Sequence, residues 1–210
     1  MKDGADEETG MDLEQASAIL HEAREHASRA LVIRRPLLLA VWGAAWIVSD
    51  GVIWLSVRGQ RPYTGPTPVA LATLTIVIAA AAVATIIYVG QVRSGVGGLS
   101  ALQRRILLLS YLGGYVALFT LEAAIDHAGA DRAVLGVYGA AAPILLVALI
   151  IAASAAVFRD WSLLGLGIWL LAVAASSGFA GPVTVWAVSA LAGGGALLVM
   201  AVIGLRWNRS

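Results

Sequence analysis

The chain has 210 residues, of which 60% are hydrophobic and 13% are charged, and its mean hydropathy is +0.84. This composition excludes an ordinary soluble domain, which must keep a wetted polar surface, and indicates contact with lipid. The net charge of +1 hides an asymmetry, because eight of the thirteen acidic residues lie in the first thirty residues. The absence of cysteine excludes disulfides, thiol catalysis and cysteine-ligated metal sites.

The N-terminal segment divides into two parts. Residues 1–10 are acidic and small and show no periodicity, which predicts a disordered tail. Apolar residues then recur at steps of three and four, at Leu13, Ala16, Leu20, Ala23, Ala27 and Leu31. This spacing predicts a cytoplasmic amphipathic helix over 11–35. The helix either leads into the first membrane span or docks on the membrane surface or another protein, and its mixture of acidic and basic residues favours the first alternative.

For residues 36–210, the apolar runs predict an all-α, polytopic membrane domain, a bundle of six transmembrane helices. The spans are expected at about 37–57, 69–90, 106–125, 133–157, 161–180 and 183–205. Each is close to the ~20 residues that a helix needs to cross a hydrocarbon core of ~30 Å. The first span is too long for the apolar core of an export signal and lacks a small-residue cleavage site, so we expect it to stay in the mature protein.

The distribution of arginine predicts the orientation. One side of the membrane would carry Arg34, Arg35, Arg93, Arg104, Arg105, Arg159, Arg206 and Arg209, and the other side only Arg58, Arg61 and Arg132. Since positive residues are enriched in cytoplasmic loops, eight against three places both termini in the cytoplasm. The composition, rich in Ala, Gly and Arg with a single Lys, suggests a bacterial protein of the cytoplasmic (inner) membrane.

Asp50 is the most informative polar residue, because it lies about seven residues, or ~10 Å, inside the outer end of the first span. An ionised carboxylate near the membrane centre costs about 2.5 to 3.5 kcal/mol. Asp50 should therefore face the interior of the bundle and either have a partner or be protonated. Trp42, Trp46, Asp50 and Trp54 recur every four residues and form one stripe, which predicts the interior face of this helix.

The third span carries a second polar stripe, formed by Tyr111, Tyr115, Phe119, Glu122 and Asp126. Glu122 and Asp126 lie near its outer end, and His127 follows them. One hypothesis is an outward-facing acidic pocket in which Asp50 and Glu122 attract a cation or relay a proton, while tryptophan faces such as Trp46 stack on an organic cation.

The alternative hypothesis is structural. Asp50 would then be a buried acid that forms a hydrogen bond with Thr73 or Thr75 of the second span. Glu122, Asp126 and His127 would be ordinary interfacial residues in contact with water. The residue types and their spacing leave both hypotheses open.

Pro143 lies inside the fourth predicted span. A proline there removes one backbone hydrogen bond and crowds the preceding turn, so we expect a kink. Such prolines serve packing in many membrane helices, and a role in gating is the alternative.

Enzymatic and nucleic-acid-binding functions find no support in the sequence. His21 and His26 are five residues apart and point to different sides of a helix, so they cannot share a metal as in a zinc-protease motif. No G-x-S-x-G motif occurs, and serines in the spans have no neighbouring histidine to activate them. We expect no cofactor, no metal and no catalytic residue, and the topology already accounts for the arginines without nucleic acid.

Two functions are compatible with these observations. The leading hypothesis is movement of a small solute or ion across the cytoplasmic membrane, by the chain alone, as a homo-oligomer, or as a membrane subunit beside an ATPase partner. The alternative is a non-transporting membrane anchor, sensor or regulatory partner that acts through the N-terminal helix and the 91–105 loop.

Overall fold

A computed structural model describes residues 36–90 and 99–207, and the regular structure within these ranges is helical. The predicted tail 1–10 and amphipathic helix 11–35 lie outside the described residues. Five helical stretches are long and apolar enough to cross a membrane: Pro36–Val57, Pro68–Tyr88, Leu108–His127, Arg132–Ala156 and Trp161–Arg206. The protein is therefore a multi-pass helical membrane protein.

The helices follow one another with short connections. They are α1 (Pro36–Val57), α2 (Pro68–Gly90), α3 (Leu99–His127), α4 (Arg132–Phe158), α5 (Trp161–Ser177), α6 (Gly181–Val188) and α7 (Gly195–Trp207). A 3₁₀ turn, Gly178–Ala180, separates α5 from α6, and a π-helical segment, Ser189–Gly194, joins α6 to α7. Most bounds lie close to the predicted spans. The predicted 91–105 connector is shorter than expected, because its last seven residues belong to α3.

Acidic side chains between the apolar stretches set the beginnings of two helices. The Asp131 carboxylate accepts a hydrogen bond from the backbone N–H of Ala133 at 3.0 Å and caps α4. The Asp160 carboxylate accepts from Ser162 N at 2.8 Å and Leu163 N at 3.1 Å and caps α5. Because these side chains satisfy backbone donors that a helix start leaves free, they hold α4 and α5 at fixed starting points.

The last apolar stretch, Trp161–Arg206, folds back on itself. Its 46 residues would measure ~70 Å as one straight helix, more than twice the thickness of a hydrocarbon core. The chain turns at Gly181, whose φ of 82° is in the left-handed region that glycine tolerates. The Trp169 indole N–H of α5 then donates to the Ala192 carbonyl at 3.0 Å, so the two arms lie side by side.

Helix α1 packs antiparallel against the run from α6 to α7. Pro36 lies beside Gly204, and Gly43 lies beside Gly194 further along. A Cβ atom added to Gly43 would stand 2.9 Å from the Gly194 carbonyl oxygen, and one added to Gly194 would stand 2.9 Å from the Gly43 carbonyl oxygen. The two backbones are therefore in direct contact, which small residues allow in membrane helices.

The interior contains two clusters of buried side chains. The first includes Trp46, Ile144, Val147, Ala148, Leu166, Leu170, Val173, Ala174 and Leu197, and the second includes Ile53, Val57, Ala70, Ala140, Val185 and Trp186. We call the side of the bundle with the start of α1 the Pro36 end, and the opposite side, with the loop between α1 and α2, the Tyr63 end. The first cluster lies towards the Pro36 end, and the second lies at the Tyr63 end.

Candidate functional site

The Asp50 carboxylate is held by two serine hydroxyls where α1 meets the π segment. Ser189 Oγ donates a hydrogen bond to Asp50 Oδ2, and Ser49 Oγ makes a long contact of 3.5 Å with Oδ1. Both serines are 1% exposed, whereas Asp50 keeps part of its surface accessible. An acid inside an apolar span is thus provided with polar partners from its own helix and from the opposite one, as buried polar groups require.

The π segment positions the main partner of Asp50. Ser189 is its first residue, and Trp46 of α1 packs against its Gly193. A π turn is wider than an α turn and disturbs the regular ladder of backbone hydrogen bonds. The Ala192 carbonyl in this segment accepts the Trp169 indole N–H, so a side chain serves as its partner. Isolated π segments of this kind occur frequently at functional sites.

An aromatic strip continues from Asp50 along α1 and α3. The Trp42 and Tyr111 rings meet edge to face at 6.4 Å, Tyr111 and Tyr115 are 5.1 Å apart, and Tyr115 and Phe119 are 6.1 Å apart between ring centroids. Of these three contacts, the one between Trp42 and Tyr111 joins α1 to α3.

The two threonines considered as partners of Asp50 bind their own helix instead. Thr73 Oγ1 donates to the Val69 carbonyl and Thr75 Oγ1 to the Leu71 carbonyl, each at 2.9 Å. Ser189, the observed partner, was not among the expected residues. It lies eight residues after the start of α6, a depth that matches Asp50 seven residues before the end of α1, but Thr73 and Thr75 lie at similar depth, so depth alone does not identify the partner.

Glu122 belongs to a different group of side chains at the Tyr63 end. A Cβ added to Gly139 of α4 would stand 3.4 Å from Glu122 Oε1 and 3.8 Å from the Trp186 ring. The Tyr138 hydroxyl next to it donates to the Leu118 carbonyl at 3.2 Å. Within the described residues no hydrogen bond joins Glu122 to Asp50, so the structure does not bring the two acids together in one contact.

The loop between α1 and α2 is held by hydrogen bonds of one glutamine side chain. The Gln60 side chain donates to the Ser56 carbonyl at 3.2 Å and to the Gly65 carbonyl at 2.9 Å, and it accepts from Thr64 N at 2.9 Å and Gly65 N at 3.1 Å. These four bonds fix the loop and place Tyr63 on the second cluster.

Tyr63 lies against the Trp186 indole. The Tyr63 hydroxyl and Trp186 Nε1 are both buried and lack a hydrogen bond of normal geometry. Burial raises the pKa of Tyr63 above its usual value, and the nearby Trp186 N–H only partly opposes this rise. Tyr63 therefore packs on the second cluster as a neutral phenol.

The structure gives Asp126, His127 and Pro143 no hydrogen bond or ion pair with Asp50 among the described residues. Asp126 pairs with Arg132 at 3.5 Å, and because both side chains are more than half exposed this pair adds little stability. His127 is exposed at the end of α3. Helix α4 continues through Pro143, and the kink stays a prediction.

Among the residues that the structure describes, no group of three or more His, Cys, Asp or Glu side chains is arranged to hold a metal.

No family model, curated protein or solved structure matches this chain. Function therefore has to be argued from the site itself. Asp50 lines neither of two grooves on the molecule, one of about 730 Å³ between α4, α5 and the start of α6 and one of about 340 Å³ near Arg159. What the Asp50 site offers chemically is a carboxylate with hydroxyl neighbours, which can hold a proton or a cation inside the membrane.

Proposed function

We propose that this integral membrane protein moves a small solute or ion across the membrane, by itself or as the membrane subunit of a larger transporter, and that Asp50 binds the transported or coupled cation or proton. The observation that carries the proposal is the hydrogen bond from Ser189 to a carboxylate inside the α1 span. Ionisable groups at such depth are costly and mark ion and proton pathways in many membrane proteins.

The proposed topology has six crossings. Helix α5 and the run from α6 to α7 each have about the length of one span, and a turn at Gly181 joins them. We place the Pro36 end, with Arg159 and Arg206, at the cytoplasmic face of a bacterial inner membrane, following the excess of arginine there. A chain of this size would act as a homo-oligomer or beside a partner subunit such as an ATPase.

The test is ion flux in proteoliposomes that contain the full chain, read with pH-sensitive and sodium-sensitive dyes under an imposed membrane potential. We expect flux above that of empty vesicles and a loss of at least about tenfold in Asp50→Asn, since the amide keeps the shape of the side chain and removes the charge. Asp126→Asn is the matched control, because this acid lies exposed at the rim, and its flux should equal wild type. Flux that survives in Asp50→Asn contradicts the proposal.

A non-transporting anchor or regulatory partner is the second candidate. The close backbone contact of Gly43 with Gly194 favours it, because a tightly packed α1 leaves little room for a solvated path beside Asp50. This function predicts no flux above empty vesicles. It also predicts that another membrane or cytoplasmic protein copurifies with the chain in stoichiometric amount, and that Asp50→Asn leaves this association unchanged.

A further inference from the structure

The groove near Arg159 lies at the boundary between two membrane spans. Its volume is about 340 Å³. It is lined by the last turn of α4, the two residues after it and the first turn of α5: Ala155, Ala156, Arg159, Asp160, Trp161 and Leu164. One apolar stretch ends at Ala156 and the next begins at Trp161, so that only residues 157–160 connect them. Since both stretches lie in the hydrocarbon core, this short connection and its groove lie at the level of the lipid headgroups.

The groove contains a guanidinium group without a counterion. Arg159 is exposed, and in the part of the chain that the structure describes its side chain forms no hydrogen bond or ion pair. A guanidinium group binds phosphate through two parallel hydrogen bonds, which makes arginine well suited to phosphate recognition. The ligand that complements this charge is therefore an anion that carries phosphate.

Asp160, the acidic residue of the groove, is turned towards the start of α5. One of its carboxylate oxygens accepts hydrogen bonds from Ser162 N at 2.8 Å and Leu163 N at 3.1 Å. The positive end of the helix dipole stabilises a negative charge at this position. Helix α5 therefore compensates part of the Asp160 charge, which leaves the Arg159 charge less opposed.

Trp161 lines the same groove from the α5 side. It is 84% exposed. Tryptophan is enriched at membrane–water interfaces, because its ring is apolar while its N–H group can bind polar headgroups. Leu164, one turn further along α5, adds an apolar side chain to the groove. A cationic group, an indole and apolar side chains together match a phosphate headgroup joined to acyl chains.

The end of the bundle that holds this groove is rich in arginine. In the described ranges, Arg104, Arg105 and Arg206 lie at this end together with Arg159. The phosphate of a zwitterionic lipid is balanced by the lipid's own ammonium group, whereas an anionic lipid keeps a net negative charge that arginines attract. Charge complementarity thus favours an anionic lipid.

We propose that the groove at Arg159 binds the headgroup of an anionic phospholipid from the surrounding bilayer. The phosphate lies on the Arg159 guanidinium, and the glycerol and the first carbons of the acyl chains lie against Trp161 and Leu164. Asp50 has no part in this site, so the inference is independent of the proposed transport function.

The test is thermal unfolding of the full chain in a neutral detergent, titrated with phosphatidylglycerol, with phosphatidylcholine of the same acyl chains, and with inorganic phosphate. A ligand that binds the folded protein raises the unfolding temperature. We expect a saturable rise with phosphatidylglycerol, half-maximal at a concentration at least about fivefold lower than with phosphatidylcholine. Inorganic phosphate should cause no rise. Equal effects of the two lipids, or a saturable effect of inorganic phosphate at the same concentrations, overturns the proposal.

Replacing Arg159 with glycine separates lipid binding from folding. Arg159 has a φ of 51°, in the left-handed region that glycine adopts more easily than other residues. Without lipid, Arg159→Gly should therefore unfold at the wild-type temperature or above it. It should need at least about tenfold more phosphatidylglycerol for the half-maximal effect, because a hydrogen bond between charged groups is lost. Arg159→Asn is a second variant, since asparagine also tolerates this region.

The matched control is Arg206→Gln, which removes one positive charge at the same end of the bundle but outside the groove. Its phosphatidylglycerol titration should match that of wild type. A loss of affinity as large as in the Arg159 variants would assign the effect to the general charge of this end and overturn the proposal. A folded Arg159→Gly or Arg159→Asn protein that binds phosphatidylglycerol as wild type would overturn it as well.

Discussion

Asp50 of α1 accepts a hydrogen bond from the hydroxyl of Ser189, 139 residues later in the chain. The bond ties the first membrane helix to the π segment between α6 and α7. Other contacts of α1 with this segment are those of Gly43 with Gly194 and of Trp46 with Gly193. The pair therefore joins a carboxyl group of α1 to the π-helical part of the α6–α7 run.

Replacing Ser189 with alanine should destabilise the protein by about 1 to 3 kcal/mol, because the Asp50 carboxylate inside the α1 span loses its donor from a buried hydroxyl. Thermal unfolding in detergent measures the change. Ser176→Ala is the matched control, since the Ser176 hydroxyl is exposed and bonds within its own helix to the Ala172 carbonyl at 2.7 Å. A Ser189 variant as stable as the Ser176 variant would show that the bond contributes nothing.

Gly43→Ala should lower the free energy of unfolding by about 1 to 3 kcal/mol, because the new methyl group would overlap the Gly194 carbonyl and the Leu198 side chain. Gly51→Ala in the same helix meets no atom within 4 Å. It should be neutral or stabilising by up to about 1 kcal/mol, as expected from helix propensity. Similar unfolding temperatures for the two variants would argue against the close contact of α1 with the π segment.

Tyr63 should ionise at a higher pH than a free tyrosine, because burial raises its pKa from 10.0. The folded protein then holds the proton more firmly than the unfolded chain, so this group's contribution to stability is complete below about pH 10 and is lost as pH rises further. The difference in ultraviolet absorbance between wild type and Tyr63→Phe isolates its titration. A midpoint at or below 10 would contradict the burial of the phenol.

Single cysteines provide a test of the topology, since the chain contains none. With a membrane-impermeant maleimide on intact cells, Thr64→Cys, Ala128→Cys and Phe179→Cys should react from outside. Ser162→Cys, at the start of α5, should react only after permeabilisation. The Phe179 position decides between five and six crossings, because it lies at the turn between the last two arms and is 94% exposed. Labelling of Phe179→Cys and Ser162→Cys from the same side would reject six crossings.

Long apolar helices could be predicted from the sequence, because glycine, proline and charged residues interrupt the apolar runs and the lipid requirement sets their length. The count of six spans stays a prediction. The stripe of Trp42, Trp46 and Asp50 also followed from helical spacing alone. The partner of Asp50 did not follow, because several hydroxyls at similar depth satisfy the same sequence criterion. Thr73 and Thr75 bond to their own backbone, whereas Ser189 faces α1, and only the packing of α6 against α1 distinguishes them.

The π segment could not be predicted from the sequence either. Ser189–Gly194 reads as ordinary apolar helix, and its composition of small residues would suit a regular α-helix as well. Trp46 packs against the segment, and the Trp169 indole N–H donates to its Ala192 carbonyl. Such tertiary contacts override local preference, which is a weak constraint over six residues.

The loop at the Tyr63 end has a practical consequence. A single amide side chain, that of Gln60, joins the end of α1 to Thr64 and Gly65 and so gives the segment one defined shape. Because this shape depends on bonds made in the folded protein, the exposed residues of the loop, such as Arg61 and Thr64, form a conformational epitope. Antibody fragments raised against the folded protein should bind the loop in native vesicles and fail to bind it on denatured blots. A bound fragment would add a marker for aligning particle images in electron microscopy of so small a membrane protein.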